Sequence, residues 1–420
     1  MNNDTSYQSE ILCNRLSKRS KHLRKWARRE NVTCYRLYDR DIPEIPLAID
    51  LYEGILISKG EKAENIHYMP AECQKFLVFY LYERPYEKDE NEEAKWFQTV
   101  ALDAANLLGV SSDNVILKMR KKQKGKDQYQ KNDDVINEKH ILVTEQGQKF
   151  IINLNDYLDT GLFFDHRPLR KLVRETCAKK SILNLYCYTG SFSVYAASGK
   201  AKSVTSVDLS NTYIGWAKKN FAANGIALNT IATSSEIRAN NNPSSNGDTP
   251  LERYRFVTSD VLNFLKTDKG KYDIIILDPP TFSNSKKTTQ DLDINRDWSE
   301  LVKLCCEHLT SAKQVEGDTN SDCEQIVRAS NSDVGKNTSI TNSGGEQIVR
   351  VSNSGVGKNT SIANSGGGVL YFSTNSHRLK FDPEQLPAGF TAKDITDLSM
   401  PEDYRNKKIH RCWEIRAQIN

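Results

Sequence analysis

No Cys-x-x-Cys pair occurs in this chain, although its nine cysteines run from Cys13 to Cys412. An odd number of scattered cysteines argues against a disulfide framework and against a structural zinc site, both of which draw on close pairs. No run approaches the roughly 18 consecutive apolar residues of a membrane span. The opening MNNDTSYQSE has no basic-then-apolar leader. The expectation is a soluble, reduced, cytoplasmic protein with neither a metal nor a membrane partner. Two nucleotide signatures are missing as well. Neither G-x-G-x-x-G nor G-x-x-x-x-G-K-[ST] occurs, so the phosphate cradles of NAD and ATP sites are absent. Apolar residues are sparse too: with glycine counted in place of tyrosine they make about 39% of 420 residues, below the roughly 45–50% of globular chains. A net charge of +4, from 58 basic and 54 acidic residues, is too slight to name a partner by itself.

The polar excess is local. Residues 324–345 and 346–367 are a tandem duplication, EQIVRASNSDVGKNTSITNSGG followed by EQIVRVSNSGVGKNTSIANSGG, with three differences per 22-residue unit. Two units without an aromatic cannot bury a solenoid core, which takes at least about three stacked repeats. A polar surface insert at 313–367 is expected, and a second at 228–252.

The remainder divides into three parts. Residues 1–33 read as a basic amphipathic helix: Leu12, Leu16, Leu23, Trp26 and Ala27 recur at helical spacing, and the other faces carry Arg24, Lys25 and Arg28 among eight basic residues. Residues 34–156 read as a small α+β domain with six short strands and one helix, capped by Asn91 and stopped by Gly109. Its loop KMRKKQKGKDQYQKN holds Lys118, Arg120, Lys122, Lys124 and Lys126 in a second basic cluster. Two such clusters in a nearly neutral chain favour a polyanion, with contacts to phosphates that position without reading sequence. Residues 157–420 alternate helix and strand, the pattern of an α/β fold with a Rossmann-like parallel sheet covered on both faces.

In such a sheet ligands sit outside the carboxyl ends of the strands. The first strand contains Asn184 and ends in Tyr186-Cys187-Tyr188-Thr189-Gly190-Ser191, a turn with one glycine before a helix. The second ends in Asp208-Leu209, the third in Asp260-Val261 and the fourth in Asp278-Pro279-Pro280-Thr281-Phe282. A carboxylate for ribose hydroxyls, another for an adenine amine and no phosphate cradle together outline S-adenosyl-L-methionine. The paired prolines fix a turn whose carbonyls, with no sheet partner, can face an acceptor base.

The runs RKWARRENVTCYRLYDRDIPE, NLNDYLDTGLFFDHR, LNLYCYTGSFSV, DPPTFSNSKK and RNKKIHRCW resemble the bacterial large-subunit ribosomal RNA guanine-N7 methyltransferase family, often the C-terminal half of a two-headed enzyme. The resemblance spans nearly everything outside the inserts. It implies a class I methyltransferase domain after a small α+β domain, with one activity, since the guanine-N2 half is missing. It implies that Tyr188 to Ser191, Asp208 and Asp260 hold the cofactor, with Arg167 on its methionine carboxylate. Asp278, Pro279 and Pro280 would position the base and Phe282 stack on it; Asp165 and His166 are left without a role. The chemistry is consistent with this. Methylation at carbon 5 of a pyrimidine needs a cysteine nucleophile, and the late strand YFSTNSHR offers Ser373, Thr374 and Asn375 instead. Guanine N7 has a free lone pair and loses no proton. Another RNA base, an exocyclic amine, or a non-catalytic assembly factor remain the alternatives.

Overall fold

The structure is a computed structural model and describes residues 2–84, 86, 89–120, 139–228, 253–283, 291–311, 367–405 and 409–418. The first helix, α1 (Asn2–Glu30), buries the five apolar residues expected of it and leaves Arg24, Lys25 and Arg28 exposed. Six strands follow around one helix. They are β1 (Cys34–Asp39), β2 (Leu47–Leu56), β3 (Gln74–Tyr82), β4 (Val115–Arg120), β5 (His140–Glu145) and β6 (Gln148–Asn153). They form one sheet in the order β4-β3-β2-β5-β6, with β1 on β2. Only β3 and β4 pair in parallel, and α2 (Glu90–Leu108) supplies the crossover that a parallel pair requires. The cap of α2 is Asp89 rather than Asn91: its carboxylate accepts from the amides of Asn91 and Glu92, where negative charge also suits the helix dipole. Gly109 ends the helix at φ 66°, as expected.

From residue 167 helices and strands alternate: α3 (Arg167–Thr176), β7 (Ser181–Leu185), α4 (Ser191–Ser198), β8 (Ser203–Asp208), α5 (Asn211–Ala223), β9 (Tyr254–Thr258), α6 (Val261–Thr267) and β10 (Ile274–Leu277). A two-strand hairpin, β11 (Phe282–Ser283) with β12 (Leu292–Asp293), leads into α7 (Ile294–Glu307). The chain closes with β13 (Val369–Thr374), β14 (Phe390–Asp394), α8 (Thr396–Ser399) and β15 (Arg411–Ala417).

These seven strands make a second sheet in the order β14-β15-β13-β10-β7-β8-β9. All neighbours from β13 to β9 are parallel, and β15 lies antiparallel between β13 and β14. The sheet is clad on both faces, which explains the unbroken apolar run IIIL of β10. Ile274 and Ile276 join a core with Leu169, Val194 and Phe221 of α3, α4 and α5, while Ile275 and Leu277 join another with Phe264 and Leu301 of α6 and α7. Strand order reverses between β7 and β10, so the crevice at their carboxyl ends is the topological switch point.

Both expected inserts lie outside the described residues, apart from Leu228 and Gly367 at their ends. The chain on either side of the longer one meets: Gly368 N donates to Thr310 O at 2.9 Å. No disulfide joins the eight described cysteines, and no described helix is long and apolar enough to cross a membrane.

Candidate active site

The turn after β7 coils tightly. Tyr186 and Tyr188 adopt φ of 53° and 50°, and Gly190 follows at 74°. Bulky residues seldom take left-handed backbone, so such a turn persists only when its surroundings over-determine it. Tyr188 N donates to Asp208 Oδ2 (2.9 Å), Gly190 N to Cys187 O (2.8 Å), and Thr189 Oγ1 to Gly161 O (2.6 Å). A Cβ on Gly190 would stand 2.8 Å from Ala217 Cβ, which excludes other residues on packing as well as backbone grounds. The Tyr188 ring meets Tyr213 edge-on at 4.6 Å and Phe163 at 5.2 Å.

Asp208 closes this turn from the next strand, since its second oxygen accepts from Ser210 N at 2.9 Å. Burial pushes its carboxyl up to about 6, against the pull of those amides. Leu209, which follows it, is half-buried, as is Ser191 at the start of α4. Asp260 Oδ1 caps α6 by accepting from Asn263 N, and Val261, the first residue of that helix, is buried. The half-buried Tyr186 phenol packs near Asp260, and burial raises its pKa well above the ordinary value.

After β10, Pro279 is buried, Asp278 and Pro280 are half-buried and Phe282 is 47% exposed. Thr281 Oγ1 donates to Asn375 Oδ1 at 2.6 Å, tying this turn to the end of β13. Asp278 Oδ2 lies 3.2 Å from His166 Nε2. The His166 ring stacks on His410 at 4.5 Å and 15°. His410 in turn bonds Asp165 through Nδ1 (3.0 Å) and Ser399 through Nε2 (2.8 Å). Asp165, His166 and His410 therefore have the composition of a metal site. Two face-to-face imidazoles aim their in-plane lone pairs alongside one another rather than at a common point, and His166 Nε2 is already engaged by Asp278. Burial disfavours a charged His166, but the carboxylates of Asp278 and Asp165 outweigh it and raise its pKa to about 9.

Three expectations are corrected. Arg167 is 1% exposed and fully committed: Nε bonds Glu145 (2.7 Å), a second nitrogen Asp403 (2.8 Å) and the third the carbonyl of Cys34 (2.8 Å). With Arg170 on the same Glu145, it forms a buried ion network and has no donor left for a cofactor carboxylate. Asn184 is 2% exposed, and its amide donates to Ser193 Oγ, which meets Ser206 Oγ; it ties β7 to α4 and β8. Lys118 belongs to β4, not to the basic loop. It is 7% exposed and donates to the carbonyls of Tyr157 (2.6 Å) and Leu158 (3.2 Å), and burial drags its pKa down to about 7. Arg120 is half-buried and pairs with Asp159 at 2.8 Å. Lys122, Lys124 and Lys126 lie outside the described residues.

Glu145 and Asp403 draw no attention in the sequence, and His410 enters there only as part of the run RNKKIHRCW. Each is isolated there from its partners, and a burial-forming run was the only available signal. For Glu145 that signal is HILVTE, whose last residue ends a strand otherwise buried from Ile141 onward.

A phosphate-free strand-end site on this topology defines a class I S-adenosylmethionine-dependent methyltransferase. The profile described as S-adenosylmethionine-dependent methyltransferase matches residues 111–236. A methyltransferase solved in complex with SAH superposes with a TM-score of 0.56 at 18% identity, over 97% of this chain and 81% of that one, a likeness of fold. The chain is 38% identical over 406 residues to ribosomal RNA large subunit methyltransferase K of Neisseria meningitidis, covering 96% of this chain and 86% of the relative. It is also 35% identical over 408 residues to methyltransferase K/L of Psychromonas ingrahamii, where it spans 96% of this chain but 41% of that longer protein. The chain belongs to the ribosomal RNA large subunit methyltransferase K family.

Proposed function

We propose that the protein transfers the methyl group of S-adenosylmethionine to N7 of a guanine in large-subunit ribosomal RNA, acting in the cytoplasm. The bound cofactor supplies an electrophilic sulfonium methyl. Asp208 and Asp260 hold its adenosine, the Tyr188–Gly190 turn walls it, and the first amides of α4, which have no carbonyl a turn earlier, take its carboxylate in place of Arg167. The Pro279-Pro280 turn and Phe282 seat the base, and Asp278 offsets the positive charge that methylation places on the purine.

One observation carries the choice of N7: the described groups around Asp278 suit no covalent addition, and Asp278 itself, its carboxyl held below the ordinary value beside His166 despite burial, is a weak base. Cys412, opposite Ser373 on β15, is fully buried, and burial pushes its thiol well above the ordinary value; Cys187 is the same. His166 already holds a proton at neutral pH. A lone pair that attacks without losing a proton needs alignment and water exclusion, not a base. The exposed Arg24, Lys25 and Arg28 of α1 give RNA phosphates a surface, and Lys122, Lys124 and Lys126 add positive charge in the sequence. Nucleoside analysis of ribosomal RNA from a deletion strain tests the reading. Loss of one 7-methylguanosine, restored by the wild-type chain, is expected; loss of a different nucleoside overturns the assignment.

A further inference from the structure

We propose that His166 is a positioning residue for methyl transfer: it grips Oδ2 of Asp278 so that the other carboxylate oxygen is presented to the substrate base. The proposal rests on the methyl-transfer reading above but not on the identity of the methylated atom.

The buried histidines supply the contrast. His308 has a backbone carbonyl within reach of each ring nitrogen, Gly270 (2.9 Å) and Leu265 (2.8 Å). His410 engages both of its own, with Asp165 and Ser399. His166 does not. Its Nδ1 is buried without a hydrogen-bond partner among the described residues, and its close polar contact is the carboxylate of the Asp-Pro-Pro turn. A buried donor left unmade costs stability, so the ring orientation serves the Asp278 contact rather than its own satisfaction.

That orientation is fixed from several elements. Asp165 and His166 precede α3, His410 stacks from the chain before β15, Phe192 of α4 packs at 5.9 Å, and Ser399 of α8 anchors His410. Asp278 Oδ1 has no hydrogen-bond partner among the described residues, and the side chain is 29% exposed, so one oxygen is held inside and one is open. The charged and titratable groups facing the pair are Asp165, His410, Arg170 and the Cys412 thiol. Asp165, His166 and Asp278 together carry a net negative charge, the sign that suits an arriving sulfonium. Deprotonation of His166 as pH rises through about 9 abolishes the charge-assisted grip and frees Asp278 to rotate.

The test compares wild type with His166→Phe, which keeps a stacking ring but no N–H, and His166→Gln, which keeps a donor without a charge. Labelled methyl entering ribosomal RNA is counted in total, whichever nucleoside carries it. His166→Phe is expected to lose about 10- to 100-fold in kcat while cofactor affinity stays near wild type, with kcat read below the Tm of each variant because removing a cation from between Asp165 and Asp278 lowers it. His166→Gln recovers part of that loss, and the alkaline fall of kcat near pH 9 disappears in both. An undiminished kcat in His166→Phe, or an alkaline limb that persists in both variants, overturns the proposal. Selective labelling of histidine rings gives a readout free of activity: the His166 titration midpoint falls in Asp278→Asn if the pair exists, and an unmoved midpoint refutes it. Absence of label in any RNA with wild type would instead overturn the function, leaving the midpoint to judge the pairing.

Discussion

At Asp208, burial pushes the carboxyl up to about 6 while the amides of Tyr188 and Ser210 pull it down. For the cofactor-free protein a raised carboxyl means stability that is full below its ordinary value and lost as pH rises through about 6. Cofactor binding runs the other way, because only the carboxylate can hold two amides and still accept from a ribose. Calorimetry is therefore expected to show S-adenosylmethionine affinity flat above pH 7 and falling below 6 by about tenfold per unit. Asp208→Ala binds about 10- to 100-fold more weakly and loses this pH dependence; a wild-type profile flat from pH 5 to 8 would remove Asp208 from the cofactor site. Lys118 shows the limit of single residues read by charge. KMRKKQKGK looks like one basic patch, yet β4 alternates, exposing Leu117 and Met119 and turning Lys118 inward. Arg167 misled for a related reason: it follows Asp165-His166, which do lie near Asp278, but an arginine starting a helix reaches whichever anions the rest of the chain brings, and these are Glu145 and Asp403.

Elements were far more legible than side-chain partners, because a strand or helix is specified by its own period. The run IIIL demanded a sheet covered twice, and the structure covers it twice. The strand-end aspartates were legible for a related reason: each ends or closely follows a short strand, and parallel strands align those ends. What periodicity could not show is that Asn184 commits its amide to Ser193 of α4, while its neighbours Tyr186 and Tyr188 stand in the turn at the strand's end. α1 is the element whose role is most open to trial. Its apolar face is buried, so reversing Arg24, Lys25 and Arg28 to glutamate changes charge without touching the core. RNA affinity is expected to fall and its dependence on salt to flatten, with cofactor affinity unchanged. An RNA salt dependence equal to wild type would assign phosphate binding elsewhere.

On the scale of the molecule, the apolar shortfall that first stood out is concentrated in the polar segments 228–252 and 313–367. Thr310 and Gly368 are hydrogen-bonded neighbours, so the sheet closes beside the residues between them. Replacing residues 312–366 with a two-residue turn is expected to leave the thermal midpoint within about 3 °C, since closing a shorter loop costs less entropy. Scanning calorimetry checks the stability, and methyl incorporation checks the site. Preserved cofactor binding with lost RNA methylation would mean that the segment takes part in substrate contact.

The Arg167 network also sets a timetable. Arg167 meets Glu145 after a separation of 22 residues but Asp403 only after 236. Until residue 403 has left the ribosome, a guanidinium destined for a dry interior has only part of its counter-charge, and enclosing it would be costly. The first sheet and the parallel strands β7 to β10 with β13 can pair earlier, but β15 follows Asp403 in the chain and the seam around Arg167 must stay wet. A late knot in this protein is therefore electrostatic, and a nascent chain halted short of Asp403 would have its first sheet and its parallel strands but neither β15 nor a shut seam.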